Sequence, residues 1–104
     1  MAEKSRKEQI QEMLVEEPGD PFLLYGLAME FVSEGNDAEA VSWFRKLLAL
    51  AESVPAYHQA GRALLRLNRA SEAREVLNEG ISVARKLNDV HAAEEMQGLL
   101  DGLI

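Results

Sequence analysis

The stretch Leu24-Tyr25-Gly26-Leu27-Ala28-Met29-Glu30-Phe31 decides the reading of this chain. Its pattern returns 33 residues later as Tyr57-His58-Gln59-Ala60-Gly61-Arg62-Ala63-Leu64. In each copy a large residue is followed, three, four and seven positions on, by a medium or small, a small and a large one. Residues at those separations share one face of an α-helix, whereas a strand would need alternation with period two. The same displacement of 33 carries Ala40, Phe44 and Leu47 onto Ala73, Leu77 and Gly80, and Asp20 onto Ser53. Self-similarity spanning two helical segments marks a unit that buries its apolar face by stacking on its own copies.

Helical spacing fills nearly all of the remaining chain. Ser5 stands three residues before Glu8, a capping-box spacing, and Ile10, Met13 and Leu14 share one face before Pro18-Gly19 stops the segment. Asp20-Pro21 offers an N-cap acceptor and a proline at the first helical position, where its missing N–H is no loss. Asn36, three residues before Glu39, opens a third helix, and Ser53 a fourth. Breaks at Asn68–Ser71 and at Asn88-Asp89 set off a fifth helix and a last one carrying Val90, Ala93, Met96, Leu99, Leu100 and Leu103. The chain is therefore predicted to be all-α and a single domain over 1–104. Its expected parts are an N-terminal helix over 5–17, helix-turn-helix units over 20–52 and 53–87, and a capping helix over 88–104.

The unit resembles the tetratricopeptide repeat, whose signature runs W-x2-L-G-x2-Y, then A-x3-F, then P. Here it stands as Leu24-x2-Leu27-Ala28-x2-Phe31-x8-Ala40-x3-Phe44-x2-Leu47, and again as Tyr57-x2-Ala60-Gly61-x2-Leu64-x8-Ala73-x3-Leu77-x2-Gly80. Ala28 and Gly61 sit where two antiparallel helices cross, with Ala40 and Ala73 making the matching close contact from the second helix. Ile10-x2-Met13-x4-Pro18 repeats the spacing of Phe44-x2-Leu47-x4-Glu52, so the first helix reads as the second half of a truncated repeat. Val90 and Ala93 lie 33 residues after Tyr57 and Ala60, after which Glu94 and Gln97 replace the expected small and large residues. A polar-faced final helix is how a solenoid covers its last apolar surface. Gly80, inside a helix, reads as a departure costing about 1 kcal/mol relative to Ala. The resemblance implies a right-handed α-α superhelix and a non-catalytic protein-interaction role, as an adaptor or assembly module.

Composition excludes several other classes. The 104 residues hold 18 Asp and Glu against 11 Lys and Arg, a net charge of −7, and no cysteine. An acidic chain is a poor match to nucleic acid, where affinity comes largely from cations that displace counterions from phosphates. The longest apolar run, Leu47 to Ala51, is far short of the ~20 residues of a membrane span, and the charged N-terminus has no apolar stretch behind it. Neither a membrane nor a secretory leader is expected, and the default location is cytoplasmic. Without thiols there is no disulfide framework or zinc-thiolate site. The scattered glycines make no phosphate loop, and no serine has a His-plus-acid context, so no enzyme chemistry and no cofactor are expected. A metal site of His58, His91 and Glu95 is conceivable, but two repeat-related surface histidines explain the pair with less. Trp43 reads as packing and the methionines as gap fillers.

In the family the first helices of each pair line a concave groove. By that resemblance the groove here is formed by Phe22, Tyr25, Met29 and Val32, then His58, Gln59, Arg62, Leu65 and Arg66, with His91 and Glu95 at the edge. Charge is unevenly spread: residues 1–53 sum to −6, 54–87 to +3 and 88–104 to −4. His58, Arg62 and Arg66 stand four apart on one helical face, so an apolar segment bearing an acidic or C-terminal carboxylate group is the partner expected. The competing reading is that Arg62 and Arg66 pair internally with Glu30, Glu94 or Glu95. The Lys and Asn carboxylate clamp of some family members is not matched, because Tyr25, Met29, Gln59 and Arg62 occupy the corresponding places. The alternative function is a self-associating structural module, a homodimer through its apolar terminal helices, with the tail Leu99–Ile104 as one contact.

Overall fold

The computed structural model describes residues 3–103, in which six helices follow one another: α1 (Arg6–Glu16), α2 (Pro21–Ser33), α3 (Asp37–Leu50), α4 (Val54–Arg66), α5 (Ala70–Lys86) and α6 (Val90–Asp101). Among the described residues there is no strand. The caps legible in the sequence are formed. The Ser5 hydroxyl accepts the Glu8 N–H at 3.1 Å while the Glu8 carboxylate accepts the Ser5 N–H at 3.4 Å. Asp20 accepts the N–H groups of Phe22 and Leu23 at 2.9 and 3.2 Å, and Asn36, Ser53 and Asp89 cap α3, α4 and α6 in the same manner. Each satisfies donors that the first helical turn leaves without a partner.

Three helices end in one and the same joint. After α2, α4 and α5 a residue turns left-handed: Gly35 (φ 77°), Asn68 (φ 59°) and Asn88 (φ 60°). The N–H of the residue after it then reaches back to the carbonyl three positions inside the helix end: Asn36 to Phe31, Arg69 to Leu64 and Asp89 to Ala84, at 2.9, 2.9 and 2.7 Å. This Schellman closure lets Asn36 and Asp89 each end one helix and cap the next, whereas Arg69 stands at the start of α5 without a side-chain cap. Asn is the non-glycine residue that best tolerates such a φ.

Each helix packs on its neighbours in the chain, and α4 also packs on α6. The body is elongated, 50 × 28 × 20 Å, as nearest-neighbour stacking of repeats requires. Leu24, Leu27, Phe44, Leu47, Leu64, Leu77 and Met96 fill the interior, and Ala28, Ala40, Ala60 and Ala73 are buried at the crossings. A Cβ on Gly61 would lie 2.7 Å from the Leu77 Cγ. Gly80 is no flaw in the repeat. A Cβ there would stand 2.6 Å from the Tyr57 Cβ and 2.7 Å from the Met96 Sδ, so α4, α5 and α6 converge on a spot that has no room for a methyl group.

The structure corrects the register of the last helix. With 17 residues, α5 is longer than the 14-residue α3, and α6 therefore begins 36 residues after α4. Val90 is 63% exposed and cannot be the counterpart of buried Tyr57; Ala93 and Met96 instead take the places of Tyr57 and Ala60. His58 and His91 are consequently not equivalent, because His91 falls in the first turn of α6 and His58 in the second turn of α4. Leu99 and Leu100 pack against the core, Leu103 is half-buried, and Ile104 of the apolar tail lies outside the described residues.

Candidate functional site

Since α4 packs directly on α6, the first helices of successive pairs share one side of the body. Their first turns enclose a cleft of about 390 Å³ between α2 and α4. Pro21, Phe22 and Tyr25 line it from α2, Leu47 forms part of its floor, and Glu52, Ser53 and Pro55 close it from the other side. Phe22 is 82% exposed, an unusual surface position for a phenylalanine. Tyr25 is anchored from below, its ring 5.9 Å from that of Phe44, and burial pushes its hydroxyl pKa up. Pro55 was not among the residues the sequence singled out. It occupies the place of Phe22 in the next repeat, 33 positions on, and that displacement was the signal that could have found it.

Met29 and Val32 on α2, and Leu65 on α4, are half-buried against the core, so each offers a partial apolar surface. Gln59 is half-buried as well. His58 is lodged between α4 and α6, with its Nε2 3.8 Å from a Glu95 carboxylate oxygen. Burial lowers its pKa and outweighs the opposing pull of Glu95, while the nearby Arg62 lowers it further. His91, much more exposed, pairs with the same Glu95 one turn along α6. Glu95 thus faces both histidines, and among the described residues no group of three His, Asp or Glu side chains could hold a metal ion.

The two arginines that the sequence placed on one face part company. Arg66 is held internally: its Nη2 and Nε donate to the Asp37 carboxylate at 2.8 and 3.0 Å. The hydrogen bond to Asp37 raises the Arg66 pKa. Its partner is thus in the first turn of α3, not one of Glu30, Glu94 and Glu95. The geometry suits both helix dipoles, with the anion at the start of α3 and the cation at the end of α4. Arg62, exposed on α4, has no ion pair or side-chain hydrogen bond among the described residues. Arg69 and Arg45 share Glu72, and Lys86 pairs with Glu52. Trp43 packs on the core edge with the Lys46 ammonium 4.5 Å above its ring.

Paired helices with small residues at every crossing, stacked into an open-sided body, define a helical-repeat protein. The chain belongs to the tetratricopeptide repeat family, whose profile matches residues 23–53 and 54–87. It is similar to the crystal structure of a tetratricopeptide repeat domain protein from Salinibacter ruber, at 30% identity over 82% of this chain and 99% of that one, with a TM-score of 0.73. A solution structure of a Bordetella parapertussis protein shares the fold, with a TM-score of 0.83 at 20% identity over 97% of this chain and 89% of the other. No curated protein matches the chain. Repeats of this family generally mediate protein–protein interaction, and among the described residues no helix is long and apolar enough to cross a membrane.

Proposed function

We propose that the protein is a non-catalytic adaptor or assembly module whose concave face holds an extended peptide with an apolar anchor and a carboxylate. Phe22, Tyr25 and Pro55 receive the anchor in the cleft between α2 and α4. Arg62, two helical turns beyond Pro55, receives the carboxylate. The observation that carries this reading is the contrast between Arg66, committed to Asp37, and Arg62, which has no acidic partner among the described residues. A guanidinium beside apolar and aromatic surface accepts a carboxylate with fixed geometry.

The test uses synthetic peptides with a Leu or Phe near a free C-terminal carboxylate, titrated by fluorescence anisotropy beside their amidated forms. A charge-assisted hydrogen bond contributes about 1.5 kcal/mol or more, so amidation or Arg62→Glu weakens binding by roughly tenfold or more. Arg66→Ala, by the same reading, changes affinity by less than about twofold. Equal binding of acid and amide forms overturns the proposal.

A further inference from the structure

We propose that the N-terminal end of the solenoid, the cleft between α1 and α2, docks a basic amphipathic helix from a partner protein. The repeat itself states what shape fits there. Met13 of α1 occupies the place that Leu47 holds in α3, yet Met13 is 48% exposed and Leu47 only 1%. Leu47 lies beneath the first turn of α2, whereas among the described residues no helix precedes α1 to play that part. Two contiguous hollows of about 410 and 170 Å³ mark the place, and Met13, Phe22 and Leu23 line both. A helix laid there with an apolar stripe completes the pair that α1 begins.

Charge selects the partner. The cations of the N-terminal segment are already engaged: Lys4 with Glu12 at 2.5 Å, Arg6 with Glu30 at 3.5 Å and Lys7 with Glu34 at 3.1 Å. Glu16, Glu17 and Asp20 rim the larger hollow and have no basic partner among the described residues. The carbonyl end of α1 adds its negative dipole at the same rim. A second copy is a poor occupant, because residues 88–104 at the opposite end sum to −4 and a head-to-tail contact sets acid against acid.

The probes are three peptides of ~18 residues, about five helical turns: an amphipathic Leu/Lys helix, its Leu/Glu counterpart, and a Leu/Lys scramble of the same charge without the stripe. Binding is followed by amide chemical shifts and by anisotropy on the full chain. The Leu/Lys helix binds with shifts centred on Met13, Leu23 and Gly26, while the other two bind roughly tenfold more weakly or worse. Met13→Asp and Glu16→Lys/Glu17→Lys each weaken it about as much, and circular dichroism of these surface variants confirms folding. Arg62→Glu leaves it unchanged, which keeps this site distinct from the concave face; Phe22, shared by both, is left intact. Equal binding of the scramble, shifts centred on Tyr25 and Arg62, or a sedimenting dimer that Met13→Asp dissociates would each overturn the proposal.

Discussion

Replacing Gly80 by Ala tests the three-helix convergence directly, with Gly98→Ala as its internal contrast. Ala is intrinsically better in a helix than Gly by about 1 kcal/mol, so both changes start with that gain. At Gly98 nothing lies within 4 Å of the new methyl, and the gain survives as about 0.5–1 kcal/mol. At Gly80 the methyl meets the Tyr57 Cβ at 2.6 Å, about 0.8 Å inside the ~3.4 Å of ordinary contact. The Met96 sulfur can swing away, but a Cβ moves only with its backbone, so α4 and α5 must separate. Overpacking of that kind costs up to about 3 kcal/mol, leaving a net loss of about 2 kcal/mol. With a urea slope of about 2 kcal/mol/M for a domain of this size, the midpoint falls by about 1 M in Gly80→Ala and rises by about 0.4 M in Gly98→Ala. A Gly80→Ala midpoint at or above that of the parent protein would refute the close approach and restore Gly80 to a mere helix defect.

The other predictions rest on separate elements. Asn68 is left-handed at φ 59°, so Asn68→Ala destabilises by about 1 kcal/mol while Asn68→Gly is neutral within about 0.5 kcal/mol, both read from urea midpoints. The Arg66–Asp37 pair is half-exposed on the arginine side, so a double-mutant cycle with Arg66→Ala and Asp37→Asn gives a coupling of about 1 kcal/mol, against zero if the contact is incidental. His58 is held below its ordinary pKa, first by burial, so the folded protein binds fewer protons than the unfolded chain. Its stability is fully present above the unfolded value near 6.5 and is lost as pH falls toward the depressed folded pKa. Unfolding midpoints of His58→Gln vary less across that window than those of the parent. An equal slope in both proteins would remove His58 as the cause.

The helices and their repetition were legible because the information is local. Ser5, Asp20, Asn36 and Ser53 satisfy N–H groups two or three residues away, and the apolar spacing records which face is buried. The small residues at 28, 40, 61 and 73 record where helices cross, since only their size permits the approach. Less was legible of the candidate site, and for a physical reason. Arg62 and Arg66 lie one turn apart and look alike in sequence, yet only Arg66 reaches Asp37, 29 residues away, because the stacking of α4 on α3 brings the two ends together.

The sequence by itself thus determined that this chain is a helical repeat and which residues cap α1 to α4, since caps, turns and periodicity act within a few residues. Only the tertiary structure decided which charges are used up, why Gly80 has no side chain, and that α6 enters 36 residues after α4. It also decided that Met13 is uncovered while Leu47 is not. Those facts depend on how far one helix lies from the next, a distance set by packing across the repeats and written in no single segment.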